Sequence, residues 1–474
     1  MASVLTSSRL ALDIKVHCLL FEPMKTQLVN SYLRTRVRFR DKARPWQRLV
    51  RLVCVSALIL MFPELGKAYS VMSHQAIIDA AWENDLKPAL KQRFPNLTDD
   101  DLRKAHAYAY GGAIIQDLGY YPYGNAFFSD LTHYVRSADF ILALLRDSQD
   151  PNEYAFALGA MAHYAADNNG HKIGTNRAVP VLYPKLKKKY GDSVSYEEDK
   201  LAHVKTEFGF DVLQVAKKRY APESYHDFIG FEVAPRVLEQ AFAETYGLDL
   251  RRLLVKEDRA LNSYRHAVSD LLPRATRIAW QLKRDEIEKD QPGITKRKFL
   301  YNLKRAKYEQ EWGTDYQGPT FGDKCLAFLY RILPKFGPLK VLQFRTPTPE
   351  TEHMFEASFN DTLDQYRRLL RQQRETQRPD LVNDNFDLGT ASAPGEYEMS
   401  DAAHAKLLDR LADQSFAGLS SEIRAELLAF FGGTDTPFKM KNDKKAWAKL
   451  QTELEALRKL PSTETLAAAS AQQP

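Results

Sequence analysis

Between residues 74 and 207, eight side chains able to bind a metal follow one another: His74, Asp117, His133, His163, Asp167, His171, His203 and Glu207. Two pairs in this series, His163/Asp167 in HYAAD and His203/Glu207 in HVKTE, have i,i+4 spacing. On a helix each pair shares one face, with Cβ atoms roughly 6 Å apart. Any fold of this chain must therefore bring donors together from distant positions while keeping two pairs on helices. Taken singly, a His–carboxylate pair is commonly a surface hydrogen bond, and a lone His on an apolar face is commonly a core residue. Neither habit produces the whole ordered set. Imidazole and carboxylate without thiolate suit zinc better than calcium or copper(I). Eight donors exceed what one tetrahedral ion takes, so two or three ions are expected to share them. Thiolate-rich zinc sites are usually closed and structural, whereas His/carboxylate sites more often keep a position open for water.

The segment just before the series has its own pattern. Residues 34–51 (RTRVRFRDKARPWQRLVR) are arginine-rich and precede an apolar run from Leu52 to Phe62, then PELGKA. A basic stretch, a short apolar core and a small residue describe a secretory signal peptide. The run has 11 residues, against the roughly 20 that a helix needs to span a bilayer. Cleavage after Ala68 would make Tyr69 the new N-terminus and deliver the protein to the periplasm or the outside. Met24 is an alternative start. The leader also carries the apparent basicity: residues 1–68 hold 12 basic and 4 acidic residues, and the remainder has 55 and 57. The near-neutral remainder gives no reason to expect a nucleic-acid partner. Of Cys18, Cys54 and Cys325, only the last follows the cleavage point, so no internal disulfide is expected after processing.

Apolar residues recur at three- and four-residue intervals in 137–147, 153–166, 208–219 and 235–245, while alternating strand-like runs are scarce. The expected fold class is all-α.

In this order and spacing, the donors resemble the zinc-dependent phospholipase C family (the phospholipase C/D domain), which is related to single-strand-specific zinc nucleases. In that superfamily an aromatic first residue binds zinc through its α-amine and carbonyl. A His follows, then Asp, His, His-x-x-x-Asp, His, and a final His-x-x-x-Glu or His-x-x-x-Asp. The resemblance covers about residues 69–290. It implies one ion on Asp117, His133, His163 and Asp167, and a second on Asp167, His74 and the backbone of Tyr69. A third would sit on His171, His203 and Glu207. Tyr69 stands where the family usually has Trp, which should matter little when backbone atoms coordinate. The gap from Asp167 to His171 is short for the family, and Asp130 rivals Asp117 because it lies three residues before His133.

The expected layout is a leader and signal peptide at 1–68, the zinc domain at 69–290, and a basic helical extension at 291–376. A polar link then leads to a small helical module at 399–459 and a disordered tail at 461–474. The expected activity is hydrolysis of phospholipids to diacylglycerol and a phosphorylated head group at a membrane surface. Zinc would be the cofactor, with Asp117 the first candidate for general base and Glu207 the second. Nothing in the sequence points to a protein partner. Glu207, where the nucleases usually carry Asp, favours the lipase. The alternatives are the nuclease and a non-catalytic zinc-binding module. The basic stretches 294–312 and 325–344 could touch lipid but are read first as packing helices, KLKKKY as solvated surface, and His106, His226, His266, His353 and His404 as ordinary residues. Tyr120, Tyr121, Tyr123, Phe127 and Phe128 either line the pocket or pack.

Overall fold

The helix Pro151–Asn169 is buried on every side, with only Pro151, Asn152 and Asn169 outside the interior. Its start is set by Asp150, whose carboxylate accepts hydrogen bonds from the backbone N–H groups of Asn152 and Glu153, with Pro151 at the first helical position. A helix apolar on all faces needs neighbours all round. In this computed structural model the neighbours are the helices Val71–Ala81, Asp99–Gly112, Ser137–Asp147 and Pro349–Thr376. The structure describes residues 71–268 except 218, 221–229 and 255, isolated positions between 275 and 289, and residues 341 and 343–461 except 434, 435 and 437. All of them fall in one compact unit.

The architecture is all-α. Among the described residues the only β pairing is an isolated bridge between Asn385 and Thr390. The helix expected at 137–147 runs from Ser137 to Asp147, and that at 235–245 from Pro235 to Tyr246. The one expected at 208–219 starts earlier, at Lys200, because the Asp199 carboxylate caps it by accepting from Ala202 N–H at 2.9 Å; it ends at Ala216. Its first turns therefore carry both His203 and Glu207. Asp99–Gly112 begins with a reciprocal capping box between Thr98 and Asp101. It crosses the central helix where glycines let the backbones meet: a Cβ on Gly159 would lie 2.2 Å from Ala109 O, and one on Gly112 1.9 Å from Phe156 O.

The C-terminal segments do not form separate cores. Phe355, Phe359, Leu363 and Tyr366 of the helix Pro349–Thr376 belong to the same hydrophobic cluster as Phe156 and Leu158 of the central helix. Tyr366 Oη donates to Leu158 O at 2.9 Å. Leu407, Leu411, Leu427 and Leu454 of the 399–459 module extend that cluster. Among the described residues, the interior thus runs from the central helix into the segments after residue 349. KLKKKY lies on the helix Pro184–Tyr190, where the lysines are exposed and Leu186 and Tyr190 pack, partly buried, near Val179 and Val194. The leader, Tyr69, the tail from 462, residues 294–312 and nearly all of 325–344 lie outside the described residues.

Gly159→Ala should lower unfolding stability by about 1–3 kcal/mol, the usual cost of forcing a methyl into a packed helix crossing. Chemical denaturation of the two proteins measures the difference, and an unchanged midpoint would contradict the crossing described.

Candidate metal centre

His163 and Asp167 project from one face of the central helix, as their spacing requires. His163 Nδ1 lies 3.0 Å from Ala113 O, and His133 Nδ1 lies 2.8 Å from Ser129 O. A carbonyl can only accept, so each Nδ1 carries a hydrogen, and each Nε2, when unprotonated, presents a lone pair. Those two Nε2 atoms face each other at 3.4 Å. Asp167 Oδ2 lies 3.1 Å from the first and 3.4 Å from the second, and Asp167 Oδ1 lies 3.4 Å from His74 Nε2. Asp117, on the short 3₁₀ turn Ile115–Tyr120, brings Oδ1 to 3.4 Å from His133 Nε2. Donor atoms turned toward one another at such distances repel unless a proton or a cation sits between them. Two overlapping triads result, His74/His163/Asp167 and Asp117/His133/His163, each with all its donor atoms within 4.8 Å of one another.

A second group gathers beside the π-helical turn Gly170–Thr175, which ends the central helix and carries His171. Such turns re-aim side chains and recur at functional sites. His203 Nε2 lies 2.7 Å from Asn176 Oδ1, which fixes the hydrogen on that nitrogen and leaves Nδ1 facing Glu207 Oε1 at 2.9 Å. His171 Nε2 lies 3.7 Å from the same Glu207 oxygen. All eight donors are buried, none more than 3% exposed. Asp117 Oδ1, both Asp167 oxygens, His203 Nδ1 and Glu207 Oε1 make no aligned hydrogen bond. Buried charged oxygens without such partners are costly; the two triads fit shared cations, whereas His171, His203 and Glu207 do not bring all three donor atoms within the same 4.8 Å.

The electrostatics agree. Burial pushes the Asp117 carboxyl above its ordinary range. Burial also drives the His74 imidazole down to about 3, with His163 adding to the effect. For His133, burial opposes protonation but the Asp117 and Asp167 carboxylates override it and raise the imidazole to about 10. His171 rises to about 9 in the same way, against burial, through Asp387 with Asp167 and Glu207.

Asp130 belongs to neither triad, whereas Asp117 does. His106 lies elsewhere, stacked on Trp82 with Nε2 3.1 Å from Asp79 Oδ1. His404 stacks on Phe430. Of the aromatic residues between the donors, Tyr120 sits beside the His133 ring at 6.0 Å. Phe127 and Phe128 are core, Tyr121 packs on Tyr264, and Tyr123 is exposed.

Two residues at the site carry no signal in the sequence. Asn176 follows the π-helical turn, and Asp387 lies in NDNFDLG, within what reads as a polar link. Asp387 Oδ1 is 3.0 Å from His171 Nδ1. Its neighbour Phe386 packs edge-on to the His133 ring at 5.2 Å, and Phe386 N–H donates to His133 O at 3.2 Å.

The family model described as zinc dependent phospholipase C matches residues 73–253. The match supports, for that segment, the resemblance to the zinc-dependent phospholipase C family. All eight side-chain donors lie inside it, and Tyr69 and Asp387 lie outside. No curated protein and no solved structure gives a significant match to the chain. Among the described residues, no helix is long and apolar enough to cross a membrane.

With imidazoles so raised, metal loading of this centre would be a competition with protons. In protein stripped of metal, His133 and His171 should be charged at neutral pH, since their values of about 10 and about 9 lie above the ordinary 6.5. Their stabilising contribution is complete below pH 6.5 and is lost as pH rises through 9 and 10. Zinc must displace those protons, so its apparent affinity should climb by up to about tenfold per pH unit for each one displaced. Chelator-competed titrations at pH 6, 7 and 8 measure this, and a flat profile would contradict the assignment.

Proposed function

We propose that the protein hydrolyses the phosphodiester of a phospholipid at this centre, releasing diacylglycerol and a phosphorylated head group. The observation that carries the reading is the pair of buried triads sharing His163, within a segment that matches the zinc-dependent phospholipase C family. Asp117, His133, His163 and Asp167 would hold one zinc, Asp167 and His74 a second, and His171, His203 and Glu207 a third. Zinc so held supplies positive charge against the phosphodiester and makes water acidic enough to attack near neutral pH. The protein supplies the base. Asp117 is the first candidate, because its Oδ1 makes no aligned hydrogen bond and its burial strengthens its hold on a proton. Glu207 is the second, with Oε1 turned between His171 and His203. Asp167, within 3.4 Å of three imidazoles, holds the first two positions in register.

The purified protein should release diacylglycerol from phosphatidylcholine vesicles, lose that activity to a chelator and regain it with zinc. Wild type should carry two to three zinc ions, and Asp167→Asn should lose more than one of them together with turnover. Cleavage of single-stranded DNA with no diacylglycerol from any lipid would replace this reading with the nuclease. Bound zinc without turnover on either substrate would favour the non-catalytic module.

We also propose that the chain is exported and cut after Ala68, so that the amine and carbonyl of Tyr69 complete the second position beside His74. The arginine-rich stretch and the 11-residue apolar run support this. N-terminal sequencing of active exported protein should begin at Tyr69, and full activity with preceding residues retained would exclude the amine as a ligand.

A further inference from the structure

We propose that Asp387, outside the family-matched segment, is a positioning residue that orients both imidazoles of the second donor group toward Glu207. The proposal rests on the zinc-site reading above and extends it to a loop that the family resemblance does not cover.

His171 stands on a six-residue π-helical turn rather than on a regular helix. An imidazole offers a metal one nitrogen, and the group facing the other nitrogen decides which. For His171 that facing group is Asp387 Oδ1, 3.0 Å from Nδ1. The opposite carboxylate oxygen is already engaged: Oδ2 accepts from Tyr134 Oη at 2.8 Å and from Tyr397 Oη at 2.5 Å. The carboxylate is thereby turned with Oδ1 toward the imidazole. The same residue reaches His203 through its backbone. Asp387 O accepts from Asn176 Nδ2 at 2.9 Å, and Asn176 Oδ1 accepts from His203 Nε2 at 2.7 Å. One loop residue thus faces the outer nitrogen of one ring directly and of the other through a single amide.

The loop is built to hold that residue still. Asp387 N–H donates to Asn385 Oδ1 at 3.0 Å, Gly389 N–H donates to Asn385 O at 2.8 Å, and Asn385 N–H donates to Thr390 O at 3.0 Å. Gly389 has φ +64°, and a Cβ there would meet Asn168 O at 2.2 Å. The turn is therefore seated directly on the end of the central helix, next to His171.

The test uses the full chain and reads zinc rather than activity. Asp387→Asn keeps the shape but leaves one oxygen to serve the two phenols or the imidazole, not both. The weakest-bound zinc should lose roughly 10–100-fold in affinity by chelator competition, with the remaining zinc unchanged. In a His171→Ala background the same substitution should have a much smaller effect, because most of the orientation it disturbs is gone. Leu411→Ala, which removes buried apolar volume and touches no residue of the donor group, should lower thermal stability and leave zinc affinity unchanged, separating a loss of packing from a loss of positioning. If Asp387→Asn does not fold, Asp387→Glu, which keeps the charge but moves it, should show the selective loss instead. Wild-type affinity in a folded Asp387 variant, or an equal loss in the His171→Ala background, would overturn the proposal. A wild type that binds no zinc would instead sink the zinc-site reading beneath it.

Discussion

Asp167 is the point on which this molecule turns. A buried carboxylate that makes no aligned hydrogen bond, with imidazole nitrogens of His74, His133 and His163 within 3.4 Å, is a concentration of electron pairs that an apolar interior does not tolerate unaided. Protons or cations must neutralise it. A helix buried along nearly its whole length carries that residue, and four further helices close around it, so the scaffold and the chemistry have the same centre. The two-glycine crossing with Asp99–Gly112 serves the same end, since it brings Ala113 O close enough to fix the tautomer of His163.

The sequence exposes the part of this arrangement that is local. Pairs such as His163/Asp167 and His203/Glu207 are legible because helical periodicity converts a spacing of four into a shared face. The all-α class follows from the same periodicity. Asp117 is less secure from sequence, because a 3₁₀ turn has no pattern as clear as a helix, and Asp130 competes with it. Asp387 is not legible at all. Its approach to His171 depends on the long helix Pro349–Thr376 folding back over the central one, and a contact so remote in sequence leaves no spacing to detect. The link reads as a spacer because it is rich in Asn, Asp and Gly. Those residues instead make a self-braced turn, with Asn385 bonded through both its side chain and its backbone.

The C-terminal module illustrates a related limit. Composition shifts suggest domain boundaries, but hydrophobic faces decide where an interior ends. Phe355, Tyr366, Leu407 and Leu454 all point into the cluster that contains Phe156. The family-matched segment, taken alone, would leave those surfaces of the central helix facing water. Its apolar all-round character is explained only once the later residues are in place.

That dependence gives the protein a biosynthetic order. Because Phe386 packs on His133 and Asp387 stands over His171, the surroundings of the donors are finished only by residues made late in translation. A cation bound there would be held in its final surroundings only after the turn at 383–390 has folded against the donors.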